Sequence, residues 1–111
     1  IVIPENMTEI GKVAFIGCKN LSSIVIPKKV TEIRVFTFNE CESLTTIVLH
    51  NGITEIGAGA FHSCTSLQSM VIPEGVTVIG SFAFDNCTSL QSVVIPESVT
   101  RIDCFASRRR R

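Results

Sequence analysis

Apolar and polar positions alternate along this chain in short runs, and each run closes on similar punctuation. In L-S-S-I-V-I, residues 21–26, β-branched residues alternate inward and outward, the mark of a strand with one face on a core. Pro27 follows, where a missing N–H ends the ladder. V-T-E-I, residues 30–33, predicts a second short extended piece. The stretch G-x-x-A-F-x-x-C, as at 57–64, is long enough for about one or two helical turns, with Gly57 at the corner. The same series of elements then begins again.

The period is 23 residues, with copies at 1–23, 24–46, 47–69 and 70–92 and a partial one at 93–106. They align without a gap. Numbering the columns 1 to 23 from Ile1, column 3 reads Ile3, Ile26, Leu49, Ile72, Ile95, and column 10 reads Ile10, Ile33, Ile56, Ile79, Ile102. Column 15 is Phe15, Phe38, Phe61, Phe84, column 18 is Cys18, Cys41, Cys64, Cys87, and column 21 is Leu21, Leu44, Leu67, Leu90. A unit of this size cannot bury its apolar side alone, but stacked on a neighbour it forms one slice of a continuous core. The pattern therefore predicts a short solenoid over residues 1–106, followed at 107–111 by a basic tail or an atypical terminus. Local departures are few: His50 replaces the strand-ending proline, and Arg34 and Thr37 replace glycine and alanine in the second copy.

The full pattern, I-V-I-P-x-x-V-T-x-I-G-x-x-A-F-x-x-C-x-x-L-x-S, resembles the leucine-rich repeats of the BspA-like type. The resemblance implies a right-handed superhelix with a parallel β-sheet on the concave side and short helical or irregular segments on the convex side. It also implies a binding protein, often on a microbial cell surface, and not an enzyme.

Composition adds limits more than identity. The chain has 111 residues, 45% hydrophobic and 18% charged, which suits one globular unit with a modest core. Ten basic and ten acidic residues cancel, yet four of the basic ones are Arg108 to Arg111, so the body is mildly acidic and a poor match for nucleic acid. No apolar stretch approaches the roughly 18 residues of a membrane span, and residues 1–20 lack a secretory pattern. The arginine run begins where F-x-x-C should follow Ala106, which reads as a truncated or atypical boundary, with a basic tail for an acidic partner as the other reading. The chain opens inside the strand-like run IVIP, so a leader or further repeats are expected to precede it. Both ends leave a core slice bare, and further repeats, a partner or self-association is expected to cover them.

The columns also decide how chemistry-bearing residues are read. Equivalent cysteines in stacked coils lie roughly 4.8 Å apart with parallel side chains, a row that suits neither a disulfide nor four converging zinc ligands. They are expected to be buried structural thiols, and no cofactor or metal is expected. Cys104 falls out of register, in column 12 near the arginines, and reads as an exposed residue at the end of the repeats or as a reactive thiol. His50 and His62 read as surface residues, and no serine, histidine and carboxylate are spaced for a relay. Glu9, Glu32 and Glu55 form a solvated ridge that could hold cations weakly, and the column-8 threonines, from Thr8 to Thr100, read as structural hydrogen bonding. Asn6, Asn20 and Asn86 open glycosylation patterns that carry little weight.

One surface remains for binding. Val2, Val25, Val48, Val71 and Val94 lie between core-facing positions and should form an outward stripe on the sheet. Ser23, Thr46, Ser69 and Ser92 flank it on one side, and Glu5, Lys28, Asn51, Glu74 and Glu97 on the other. Strand propensity alone would place β-branched residues there, but an apolar strip with a polar rim on a solenoid also marks an interaction site. The expected partner is a protein. The leading expectation is a non-catalytic interaction module of a microbial surface adhesin, and the alternative is a structural scaffold segment of a larger intracellular assembly.

Overall fold

The computed structural model describes residues 3–91 and 93–103, so the expectations for Ile1, Val2, Ser92, Cys104 and the arginine run lie outside the described residues. Eight short strands follow one another: β1 Ser23–Val25, β2 Glu32–Ile33, β3 Thr46–Val48, β4 Glu55–Ile56, β5 Met70–Val71, β6 Val78–Ile79, β7 Val93–Val94 and β8 Arg101–Ile102. Every pairing is parallel and joins residues one repeat apart, such as Ile24 with Ile47 and Ile56 with Ile79. The result is a solenoid of stacked coils. Its longest ladder is β2-β4-β6-β8, in columns 9 and 10, while the valine-bearing strands pair as β1-β3 and β5-β7.

The valine-bearing strands are shorter than columns 21 to 3 suggest. At one end, the column-21 leucine spends its N–H in a turn: Leu44 N–H donates to Cys41 O at 3.2 Å, and Leu67 N–H to Cys64 O at 3.2 Å. At the other end proline has no N–H to give. Only the residues between can pair.

The convex side is built from successive turns, at 12–17, 35–40, 58–63 and 81–86, and no helix is present among the described residues. The one or two helical turns expected there do not form because alternate N–H groups bond across coils. Phe15 N–H donates to Thr37 O at 2.9 Å, Phe38 N–H to Ala60 O at 2.9 Å and Phe61 N–H to Ala83 O at 2.9 Å. The residues between them donate three positions back, as Ala60 N–H does to Gly57 O at 3.1 Å. Columns 13 and 17 pay for this with left-handed backbone, from Val13 at φ 54° to Gly17 at φ 67°, which a right-handed helix excludes. Gly17 and Gly59 take that conformation without Cβ strain, whereas Phe36, Glu40 and Phe82 take it at a cost.

Inside the coils, equivalent residues pack on one another. Phe15, Phe38, Phe61 and Phe84 form one stack, with centroids 5.4, 5.5 and 5.6 Å apart and planes within 5°. Ile33, Ile56 and Ile79 line a second buried row, and Leu21, Leu44, Leu67 and Leu90 a third. Column 11 sets the closeness of the coils. A Cβ on Gly80 would stand 2.4 Å from Ala58 N, and one on Gly57 would stand 2.9 Å from Ile33 O, whereas one on Gly11 would meet nothing within 4 Å. Gly80→Ala should therefore cost about 1–3 kcal/mol by forcing adjacent backbones apart, and Gly11→Ala should be close to neutral. Urea midpoints of the two variants check this, and an equal effect of both would contradict it.

The second coil shows how the pattern absorbs a side chain in that column. Arg34 replaces the glycine, and the four-stranded ladder begins only at β2. There Thr37, the replacement for alanine two residues from the turn, reaches Gly11 O at 3.3 Å and Arg34 O at 3.0 Å with its hydroxyl. One departure supplies a polar contact between the coils that the other departure opens.

Candidate interaction surface

On the valine-bearing strands, alternation places Ile24 in the core while Ser23 and Val25 face out. The neighbouring coil repeats this in register, Ser23 against Thr46 and Val25 against Val48, and so do Val71 and Val94. The stripe is well exposed: Val25 at 64%, Val48 at 56%, Val71 at 80% and Val94 at 75%. Thr46 and Ser69 are exposed beside it, and so are Lys28, Asn51 and Glu74 at the following corner. A shallow polar depression lined by Gln68, Ser69, Thr88, Ser89 and Gln91 adjoins the stripe at its hydroxyl edge. These valines have no inward task, because the core on this side is filled by Ile24, Ile26, Met70 and Ile72.

The cysteines behave as part of the core. Cys41, Cys64 and Cys87 are fully buried and none of the four described cysteines is in a disulfide. Each thiol donates to the phenylalanine carbonyl of the preceding coil: Cys41 to Phe15 O, Cys64 to Phe38 O and Cys87 to Phe61 O, all at 3.1 Å. Burial pushes the Cys41 thiol up to about 11 and the Cys87 thiol up to about 12, the latter helped by the negative charge of Asp85. Cys64 is pushed up further, first by burial and then by the neighbouring thiols of Cys87 and Cys41. Such thiols are poor nucleophiles and poor metal ligands in the folded chain.

The histidines are not simple surface residues. His50, in the proline column, accepts from Gly52 N–H at Nδ1 (3.0 Å) and faces Val30 O with Nε2 at 2.8 Å, so the network places its hydrogen on Nε2. It closes its own corner and ties it to the coil before. In the fifth coil Ser98 does the same work, donating to Val76 O at 2.7 Å.

His62 joins three coils. Nδ1 lies 3.0 Å from Asn39 Oδ1 and 3.2 Å from Ser63 Oγ, and Nε2 lies 3.4 Å from Asp85 Oδ2. Reading along the chain missed this grouping. Reading column 16 downward finds it, because Asn39, His62 and Asp85 are one repeat apart. A serine, a histidine and an aspartate thus meet, but their geometry does not make a relay. The Nδ1 that would take a serine proton is shared with Asn39, and Asp85 is a buried residue under the turns with no cleft described beside the serine.

The glutamate ridge is partly neutralised from within. Arg34 Nη1 lies 3.8 Å from Glu9 and 3.6 Å from Glu32, so the position expected to hold a cation weakly already has one. Both pairs are solvent-facing and add little stability. The column-8 threonines meet the expectation of structural bonding: Thr54, Thr77 and Thr100 each donate from Oγ1 to the preceding threonine carbonyl, at 3.2, 3.3 and 3.3 Å. Among the described residues no cluster of three or more histidine, cysteine, aspartate or glutamate side chains converges as a metal site, and no helix is long and apolar enough to cross a membrane.

Parallel coils of 23 residues, with cysteine and phenylalanine rows inside and a valine row outside, define a leucine-rich-repeat solenoid. Residues 1–109 match the model of the BspA type leucine rich repeat region, and the chain belongs to that family. Solved structures agree. A leucine-rich repeat protein of T. pallidum is similar at 37% identity and TM-score 0.88, over 92% of this chain and 50% of that one. One from Bacteroides ovatus is similar at 43% identity and TM-score 0.83, over 87% of this chain and 25% of that one. A leucine rich cell surface protein from Faecalibacterium prausnitzii is similar at 36% identity and TM-score 0.69, over 72% of this chain and 21% of that one. The chain therefore spans half or less of the length of these neighbours. None of the curated proteins searched gave a match.

Proposed function

We propose that this chain is a non-catalytic protein-interaction module of a microbial cell-surface adhesin, and that it contacts host or cell-surface proteins through its valine-bearing face. The observation that carries the reading is the exposed stripe of Val25, Val48, Val71 and Val94, rimmed by hydroxyls on one side and by Lys28, Asn51 and Glu74 on the other. An apolar strip of this kind loses water favourably against a partner, while the mixed-charge rim selects which partner fits. The cell-surface designation of the Faecalibacterium prausnitzii neighbour supports the surface role over an intracellular scaffold.

The test begins with an array of purified cell-surface and extracellular proteins probed with the wild-type chain. Each ligand found is measured again with Val48→Thr and Val71→Thr combined, a change that keeps β-branched side chains on the strands. Exchanging two methyl groups for hydroxyls should weaken binding roughly tenfold, since each lost buried methyl is worth about 0.8 kcal/mol. Circular dichroism should be unchanged. Undiminished affinity for every ligand found would remove the valine face from the account.

A further inference from the structure

His62 occupies the middle of a column of polar side chains that crosses three coils on the turn side. Asn39 belongs to the coil before it and Asp85 to the coil after it, 3.0 Å and 3.4 Å from the two ring nitrogens. Ser63 adds a contact at 3.2 Å on the Nδ1 side, and Asn86 donates to that serine hydroxyl at 3.1 Å. The ring is 32% exposed, so protons reach it, while the Asp85 side chain is only 12% exposed. A small charge change here acts on a mostly buried carboxylate.

A neutral imidazole has one N–H and one lone pair. With its hydrogen on Nε2 it bonds Asp85 and turns a lone pair toward Asn39 Oδ1. With its hydrogen on Nδ1 it bonds Asn39 and turns a lone pair toward the carboxylate. Only the imidazolium donates on both sides.

We propose that His62 is a proton-operated clamp, whose protonation ties the second, third and fourth coils together on the turn side and whose deprotonation releases one of the two ties. The groups that face it are Asn39 from the preceding coil, Ser63 from its own, and Asp85 from the following one. Cys87 is the next titratable group along, acted on by the charge of Asp85, and the Glu40 backbone N–H donates to His62 O at 2.8 Å. His50 works in the opposite sense, because a second proton would have to enter on the Nδ1 that already accepts from Gly52. A clamp made by the charged ring contributes stability on the acid side of imidazole titration and loses it as pH rises through roughly 5 to 8.

The experiment compares urea midpoints of the wild-type chain and His62→Gln at about pH 5.5 and about pH 8, the range in which imidazole changes charge. Wild type should lead the variant at the lower pH, and the lead should fall by at least about half at the higher one. The same comparison made in an Asp85→Asn background, which removes the charge and keeps the shape, should lose that pH dependence. A lead that is flat with pH, as when Asn39 turns its amide N–H to the ring, would overturn the proposal, and so would a lead that grows toward pH 8. Ring nitrogen resonances of the unaltered protein give an independent reading. Both His62 nitrogens should carry protons at about pH 5.5, and a ring with one bare nitrogen there would also overturn it.

Discussion

Phe61→Ala should cost about 3–5 kcal/mol and come close to unfolding the chain. Phe61 is fully buried and lies between Phe38 and Phe84, with ring centroids 5.5 and 5.6 Å away and nearly parallel planes. Removing it leaves two ring faces without a neighbour at the centre of the stack. The surrounding coils cannot close the gap, because hydrogen bonds from Phe38 N–H to Ala60 O and from Phe61 N–H to Ala83 O, both 2.9 Å, fix their spacing. A solenoid is held by contacts between neighbouring coils, so the loss falls on the joint between its two halves. Against a total stability of the usual 5–15 kcal/mol, that is a large share. The chain has no tryptophan and no tyrosine, so far-ultraviolet circular dichroism in urea is the suitable probe. A loss below about 1 kcal/mol would mean that the stack is not what joins the coils.

Alkali should destabilise the protein steeply, and the cause should be its thiols. In the folded chain burial lifts Cys41 from 9.0 to about 11 and Cys87 from 9.0 to about 12, and lifts Cys64 as well. The folded state therefore keeps protons that the unfolded state gives up. Stability from these groups is complete below about pH 9 and falls as pH rises toward 11. Each thiol contributes about 1.4 kcal/mol per pH unit in that window, so the three together remove roughly 4 kcal/mol by pH 10. Cys64→Ser, whose hydroxyl does not ionise there, should flatten the decline by about a third. An alkaline decline of the same steepness in that variant would assign the effect to other groups.

The sequence was most legible where like packs on like. Once the period is known, in-register stacking puts Phe38 on Phe61 and Thr54 on Thr77, and one column predicts a whole row of the structure. The buried cysteines and the outward valines follow in the same way. The helix expected over G-x-x-A-F-x-x-C was misjudged because apolar spacing does not distinguish a helical turn from a chain of turns that bonds sideways. The signal for turns was there in Gly17, Gly59 and Asn86, residues tolerant of the left-handed backbone found in those columns. His50 and His62 were misread because candidate chemistry was sought along the chain, whereas their partners Val30, Asn39 and Asp85 lie one coil away. The pairing of Arg34 with Thr37 needed coordinates, since neither residue alone announces that it answers the other.

The same columns relate core to surface. Rows that spend their side chains on the neighbouring coil hold the solenoid together, and the valine row, with no such duty, is free to meet a partner. The cysteines are the sharpest test of this division, because a reactive row and a structural row give opposite results with one reagent. The direct measurement is site-resolved alkylation at neutral pH, followed by mass spectrometry in native buffer and in urea. The account predicts that Cys41, Cys64 and Cys87 are modified in native buffer only as fast as the chain unfolds, and rapidly in urea. Native modification of those three at the rate seen in urea would contradict it.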